Sequence, residues 1–289
     1  MKRVSQILKH KKIMKSINCN GSLINLDTPK VMGILNITPD SFFDGGKYSN
    51  TSKILTHVDK MLNEGATFID VGAYSSRPGA KHISEEEELN RILPVVKLLK
   101  SNFSNILISV DTFRSNIAKQ CVNSGACMVN DISAGNIDTA MFSTIASLQV
   151  PYIIMHMQGS PQNMQKNPVY IDVVKDVLFF FSKKIHKLYA LGVNDVIADV
   201  GFGFGKTVTQ NYELLNQLDL FQNLEVPILT GLSRKSMLFK PLEITQSQAL
   251  NATTVANTTA LLKGANILRV HDVKEALETI KIIKLLNAN

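Results

Sequence analysis

Cysteine is scarce in this 289-residue chain: Cys19, Cys121 and Cys127 are an odd number, with no Cys-x-x-Cys pair. That excludes a disulfide framework and a thiolate zinc site, and it fits a reducing cytoplasm. No apolar run reaches the roughly 18 residues that a membrane span needs, so no membrane association is expected. Excess charge is missing from the body of the chain. Of the 31 basic residues, six (Lys2, Arg3, Lys9, Lys11, Lys12 and Lys15) crowd into the first fifteen positions, leaving 25 against 24 acids. The net charge of +7 therefore belongs mostly to a basic arm over residues 1–16, read as a solvated tail, and no nucleic-acid partner is expected. What is present is a core: 45% hydrophobic and 19% charged residues exclude a disordered chain. The length suits one α/β barrel.

From residue 31 onward, short β-branched runs alternate with longer amphipathic ones. Strands are predicted at Val31–Ile37, Thr67–Ala73, Ile106–Thr112, Cys127–Ser133, Tyr152–Met157, Val196–Val200, Pro227–Ser233 and Ile267–His271. Helices are predicted over 51–65, 84–103, 114–125, 138–149, 171–192, 207–223, 245–265 and 273–288. Ser84 with Glu87 reads as a capping box, which makes the run Glu85 to Glu88 a solvated helix start rather than a metal site. Gly65, Gly125, Gly192 and Gly264 read as left-handed caps at helix ends. Eight strand–helix units without a composition break predict a (β/α)8 TIM barrel over 31–288, within a single domain spanning 1–289; an open doubly wound sheet is the alternative. Ahead of it, residues 17–26 alternate around Asn20-Gly21, a hairpin signal, and this N-terminal β-hairpin is expected to close the barrel floor.

Barrel enzymes work at the carboxyl ends of their strands, and almost every predicted strand ends in a polar group. These are Asn36, Asp70, Asp111, Asn130 with Asp131, His156, Asp199, Ser233 with Lys235, and Arg269 with His271. Only six arginines occur, and Arg77, Arg234 and Arg269 all follow strands, which points to a phosphate or carboxylate substrate. Other chemistries fall away. The run Gly201 to Thr207 lacks the glycine that a Walker loop needs at Val200, and the one that a dinucleotide loop needs at Lys206. No HExxH and no Ser–His–Asp arrangement is legible; His57, His82 and His186 read as solvent or packing histidines, and His156 as structural.

Several blocks together resemble the dihydropteroate synthases. Residues 31–46, Val-Met-Gly-Ile-Leu-Asn-Ile-Thr-Pro-Asp-Ser-Phe-Phe-Asp-Gly-Gly, resemble the first signature of that family. Residues 70–80, Asp-Val-Gly-Ala-Tyr-Ser-Ser-Arg-Pro-Gly-Ala, resemble the second. Ser109–Thr112, Asn130–Ile132, Met155–Met157, 201–206, Ser233–Met237 and Arg269–Glu275 follow in order, so the resemblance spans 31–280. It implies a TIM barrel that condenses 6-hydroxymethyl-7,8-dihydropterin diphosphate with 4-aminobenzoate, giving 7,8-dihydropteroate and diphosphate, assisted by Mg2+.

By matching position, the resemblance implies a pterin diphosphate site of Ser76, Asp111, Asn130, Ile132, Met155, Asp199, Phe204, Gly231, Lys235, Arg269, Val270 and His271. In it, Asp199 accepts the aminopyrimidinone edge, Ile132, Met155 and Phe204 wall the ring, and Arg269 stacks on it. Catalysis falls to Asn36, Lys235, Arg269 and His271, with Asn36 as the Mg2+ ligand and an SN1-like loss of diphosphate. The 4-aminobenzoate site takes Phe42, Ser76, Arg77, Pro78, Ser233 and Ser236, the last at a positive helix end. Loops 38–50 and 74–83 are costly to order, which predicts that 4-aminobenzoate binds after the pterin diphosphate. The resemblance also implies sulfonamides as competing ligands, and a homodimer.

The chain departs from the family pattern at Tyr74, commonly Glu, at Ser76, commonly Thr, and at Val200, commonly Pro. None of these removes a group needed for chemistry. Two other readings remain at this point. A barrel that binds methyltetrahydrofolate for methyl transfer would not need the loops at Thr38–Phe42 and Ser76–Pro78, and a non-catalytic pterin-binding paralogue would turn over no 4-aminobenzoate.

Overall fold

The computed structural model describes residues 15–37, 47–75, 82–161, 164 and 168–286. The basic arm up to residue 14 lies outside them, as do Phe42, Ser76, Arg77 and Pro78 with most of both loops. Two short strands, β1 (Ser16–Cys19) and β2 (Ser22–Asn25), pair antiparallel with Cys19 opposite Ser22. The turn between them has positive φ at both Asn20 (51°) and Gly21 (83°), which Asn-Gly supplies at little steric cost and which matches the strand twist. Eight parallel strands then close into a barrel: β3 (Lys30–Asn36), β4 (Phe68–Gly72), β5 (Ile108–Asp111), β6 (Met128–Asp131), β7 (Tyr152–Met155), β8 (Val196–Asp199), β9 (Ile228–Thr230) and β10 (Ile267–Val270). β10 pairs with β3 to complete the ring. The eight predicted strands and the TIM barrel are thus observed.

Around the barrel run α1 (Lys47–Asn63), α2 (Glu85–Asn102), α3 (Ser115–Asn123), α4 (Met141–Leu148), α5 (Val173–Ala190), α6 (Val208–Asn216), α7 (Ser236–Phe239), α8 (Leu250–Leu262) and α9 (Val273–Leu286). All four glycines read as helix caps have positive φ. Two expected helices are broken. The run 207–223 passes into a 3-10 helix at Leu218–Leu224, and 245–265 begins with a separate 3-10 turn at Gln246–Gln248. The Ser84 box is half made: its side chain accepts from the Glu87 N–H, but the Glu87 carboxylate pairs with Arg91 one turn on. Complete boxes stand at Thr207/Gln210 and Thr245/Gln248 instead.

The strands carry an outer and an inner face. Outward residues such as Val71, Val110, Val129, Ile154, Ala198 and Leu268 join the core under the helices. Inward, at the amino ends, Met32, Phe68, Met128, Ile153, Ile197, Leu229 and Ile267 form a second core, against which the hairpin buries Ile17, Cys19 and Leu26. The hairpin therefore closes the floor, as its alternation predicted.

Candidate active site

Two residues beyond that floor, the inward positions turn polar. Period-two alternation carries Phe68 to Asp70, Met128 to Asn130, Ile197 to Asp199, Leu229 to Gly231 and Ile267 to Arg269. Arg269 donates from Nε to Asp70 Oδ2 (2.6 Å) and from Nη2 to Asp111 Oδ2 (2.8 Å). Asn130 Nδ2 donates to the same Asp70 oxygen at 3.0 Å. Burial would lower the Arg269 pKa, but the two carboxylates more than offset it, so the guanidinium stays charged. Asp111 is pushed up to about 7 by burial, against the pull of Arg269. Asp70 is fully buried, and its Oδ1 has no hydrogen-bond partner among the described residues.

Across the barrel mouth, Asp199 Oδ1 accepts the Gly201 N–H at 2.8 Å. A Cβ at Gly231 would lie 3.9 Å from Lys235 Nζ and 4.0 Å from Asp199 Oδ2, so the missing side chain keeps both within reach of one small space. Burial raises the Asp199 pKa and Lys235 opposes it. Burial brings Lys235 down to about 8, with Asp199 opposing and Arg269 adding to the fall. Lys235 Nζ donates to the Phe202 carbonyl and lies 4.6 Å from the centre of the Phe204 ring. Ile132, Met155, Phe113, Met157 and Met164 form an apolar cluster on which Phe204 and Tyr74 pack. A carboxylate, an ammonium and a flat apolar wall fit a planar heterocycle with a donor edge.

Other expected residues have surroundings that differ from those expected. Val270 packs outward into the helix-facing core, because alternation turns it away from Arg269, and only its backbone can face a ligand. Ser233 is buried and bonded to His271 Nδ1 at 3.0 Å. Ser236 is exposed, but α7 has only four residues, too short for the dipole expected at a helix end; Pro241 follows closely behind it. Arg234 is not an anion binder, since it grips Asp272 bidentately at 2.8 and 2.9 Å. Asp131 and His156 leave the rim too. Asp131 accepts the Tyr152 hydroxyl at 2.6 Å in the outer layer, and His156 packs edge-on to Phe180. Glu88 is buried rather than solvated, paired with Arg114 at 2.6 Å and with the Thr112 hydroxyl at 2.7 Å. Tyr74 stacks edge-on to Phe113 at 5.0 Å and bonds His82 through its hydroxyl at 3.1 Å.

Asp70 is what the sequence reading missed in the site: it stood among the strand ends but was given no role, although its period marked it as inward. Asn36 ends β3 half-buried, in register with Gly72, which itself pairs with Asp111. Among the described residues no three His, Cys, Asp or Glu side chains gather as a metal cage. A cation at this rim would draw on one amide and on substrate oxygens, a donor set that suits Mg2+.

This is a TIM barrel with buried charged groups beside an apolar cluster at its carboxyl rim, and residues 32–271 match the family described as "Pterin binding enzyme". The dihydropteroate synthase of Haemophilus influenzae is 43% identical over 265 residues, 91% of this chain and 96% of that protein. The Yersinia pestis dihydropteroate synthase, solved with a sulfonamide drug complex, superposes with a TM-score of 0.89 at 40% identity, covering 95% of this chain and 100% of that one. The Xanthomonas albilineans enzyme was solved with 4-aminobenzoic acid (TM-score 0.89, 35% identity, 96% of this chain and 100% of that one). It was also solved with 7,8-dihydropteroate (TM-score 0.85, 33% identity, 95% and 99%). The chain belongs to the pterin-binding enzymes and, within them, to the dihydropteroate synthases, a family of transferases. That sets aside the methyl-transferring alternative. Among the described residues, no helix is long and apolar enough to cross a membrane.

Proposed function

We propose that this chain condenses 6-hydroxymethyl-7,8-dihydropterin diphosphate with 4-aminobenzoate, giving 7,8-dihydropteroate and diphosphate. The observation that carries the reading is Asp199 and Lys235 meeting at Gly231 beside the apolar wall of Ile132, Met155 and Phe204. Asp199 accepts the donor edge of the pterin, Lys235 donates to its ring oxygen and nitrogen, and Asn130 and Asp111 complete the polar edge. Arg269, held flat by Asp70 and Asp111, stacks on the ring. Its charge, together with the His271 ring placed by its hydrogen bond to Ser233, holds the departing diphosphate. Asn36 would hold Mg2+ through its side-chain amide oxygen, and the ion would supply charge neutralisation on the leaving group. The methylene C–O bond breaks with its electron pair on diphosphate, the pterin ring delocalises the cation, and the arylamine nitrogen then bonds to the methylene and loses its proton. An arylamine is neutral near pH 7, so no strong base is required.

Phe42, Ser76, Arg77, Pro78 and Ser236 are assigned to 4-aminobenzoate, which binds after the pterin diphosphate, and to sulfonamides that compete with it. The Y. pestis complex supports the last point. A reducing cytoplasm suits three buried free thiols. A homodimer is supported by apolar side chains exposed on α8 (Val255, Leu262) and α9 (Ile282, Leu285, Leu286). The deciding assay is incorporation of radiolabelled 4-aminobenzoate with pterin diphosphate and Mg2+. Dihydropteroate is the expected product; pterin binding without product would leave a non-catalytic paralogue.

A further inference from the structure

Lys206 is a buried lysine that the reaction above does not use. It is 3% exposed, at the end of the loop after β8. Its Nζ lies 2.9 Å from the Gly201 carbonyl, 3.0 Å from the Phe204 carbonyl, 3.2 Å from the His156 carbonyl and 3.0 Å from His156 Nδ1. Every one of these can accept, and none carries a negative charge. His156 is neutral, held down to about 3 by burial and by Lys206 itself, so Nδ1 is free to accept. An ammonium with three protons thus gathers the turn that connects Asp199 to Phe204. From the same turn, the Gly201 N–H goes to Asp199, the Gly203 N–H to Asn211 Oδ1 at 2.7 Å, and the Phe202 carbonyl to Lys235. The loop is pinned from behind by Lys206 and from the mouth by Lys235. It cannot drift far: a Cβ at Gly201 would come 2.0 Å from the His156 carbonyl, so the two backbones lie in direct contact.

We propose that Lys206 is a positioning residue of the pterin pocket, whose ammonium fixes the Asp199 carboxylate and the Phe204 ring through the carbonyls of Gly201, Phe204 and His156. The proposal rests on the reading of the rim as a pterin site. Asp199, Lys235 and His156 are the titratable groups facing Lys206 from β8, from the start of α7 and from the end of β7; Tyr170 packs on His156 and donates to the Gly205 carbonyl at 2.7 Å. Burial brings Lys206 down to about 7, with Asp199 opposing and Lys235 adding to the fall. Its charge is therefore sensitive near neutral pH. If the charged form organises the pocket, then a bound pterin must in turn raise the Lys206 pKa, by linkage.

The test pairs a variant with a measurement on the unaltered protein. Lys206→Met keeps an unbranched side chain out to Cε and removes the donor. It should weaken binding of 6-hydroxymethylpterin at least about tenfold by calorimetry, and raise KM for pterin diphosphate by more than it lowers kcat. In the unaltered protein carrying 13Cε-labelled lysine, the resonance that titrates lowest should move to higher pH when the pterin is added. This readout decides the matter even if the variant fails to fold. An affinity within threefold of the unaltered protein, or a Lys206 titration that the pterin leaves in place, would overturn the proposal while leaving the pterin site standing. An unaltered protein that binds no pterin at any pH would overturn the site itself.

Discussion

At the barrel floor, Phe68, Ile153, Ile197 and Ile267 point inward and pack against the hairpin. Two residues further along the same strands, Asp70, Met155, Asp199 and Arg269 take the corresponding inward positions at the rim. Backbone geometry is alike in the two layers, but their cost is not. Floor residues gain from leaving water, whereas the buried carboxylates of Asp70 and Asp199 lose hydration and need partners to remain there. Asp70 finds Arg269 and Asn130; Asp199 finds one backbone N–H and a nearby ammonium. The floor thus holds the barrel shut, while the rim keeps charge ready for a ligand.

The comparison is most sharply broken at its apolar end. Phe68→Ala should cost about 3–5 kcal/mol of stability, read from the urea midpoint, with kcat per folded molecule little changed. A variant as stable as the parent would mean that the hairpin and floor do not close as one core. At the rim the effects should be reversed. Asp199→Asn is expected to keep the fold and to lose about 1–3 kcal/mol or more of pterin affinity, since an amide donor then meets pterin donors. Calorimetry within threefold of the parent would remove Asp199 from the site.

Asn36→Ala should lower kcat by about ten- to a hundredfold, roughly 1.4–2.8 kcal/mol. Binding of a pterin lacking diphosphate should be little affected. An unchanged kcat at saturating Mg2+ would make Asn36 structural. The smallest effect is one of pH. Lys235, at about 8, loses its charge as pH rises, so in Lys206→Met, where the other buried lysine of the pocket is gone, pterin affinity should fall at most about tenfold from pH 7 to pH 9. A flat profile would mean that the neutral amine serves equally well.

The sequence carried the barrel because its signals are local. Eight β-branched runs alternating with amphipathic ones need no knowledge of distant partners, and the Asn20-Gly21 turn, with both φ positive, is set by two adjacent residues. Asn36, Asp111, Asn130, Asp199 and Arg269 were legible as polar residues at the carboxyl ends of strands, a rule that also picked out Asp131, which turns outward to Tyr152. The helix breaks near Gln217 and Ala249 were not, because a 3-10 segment keeps much the same apolar spacing as the α-helix beside it.

What tertiary structure alone decided was the partner of each charge. Arg234 looked like a third rim arginine until Asp272, 38 residues away, proved to hold it. Glu88 read as solvated until Arg114, 26 residues on, was found beside it. Asp70 gained its role from Arg269, 199 positions later, and Lys206 from His156, 50 positions earlier. Composition and periodicity report whether a side chain faces in or out, since the alternating backbone settles that locally. Which group meets it there depends on closure of the ring, and only the folded barrel brings those residues together.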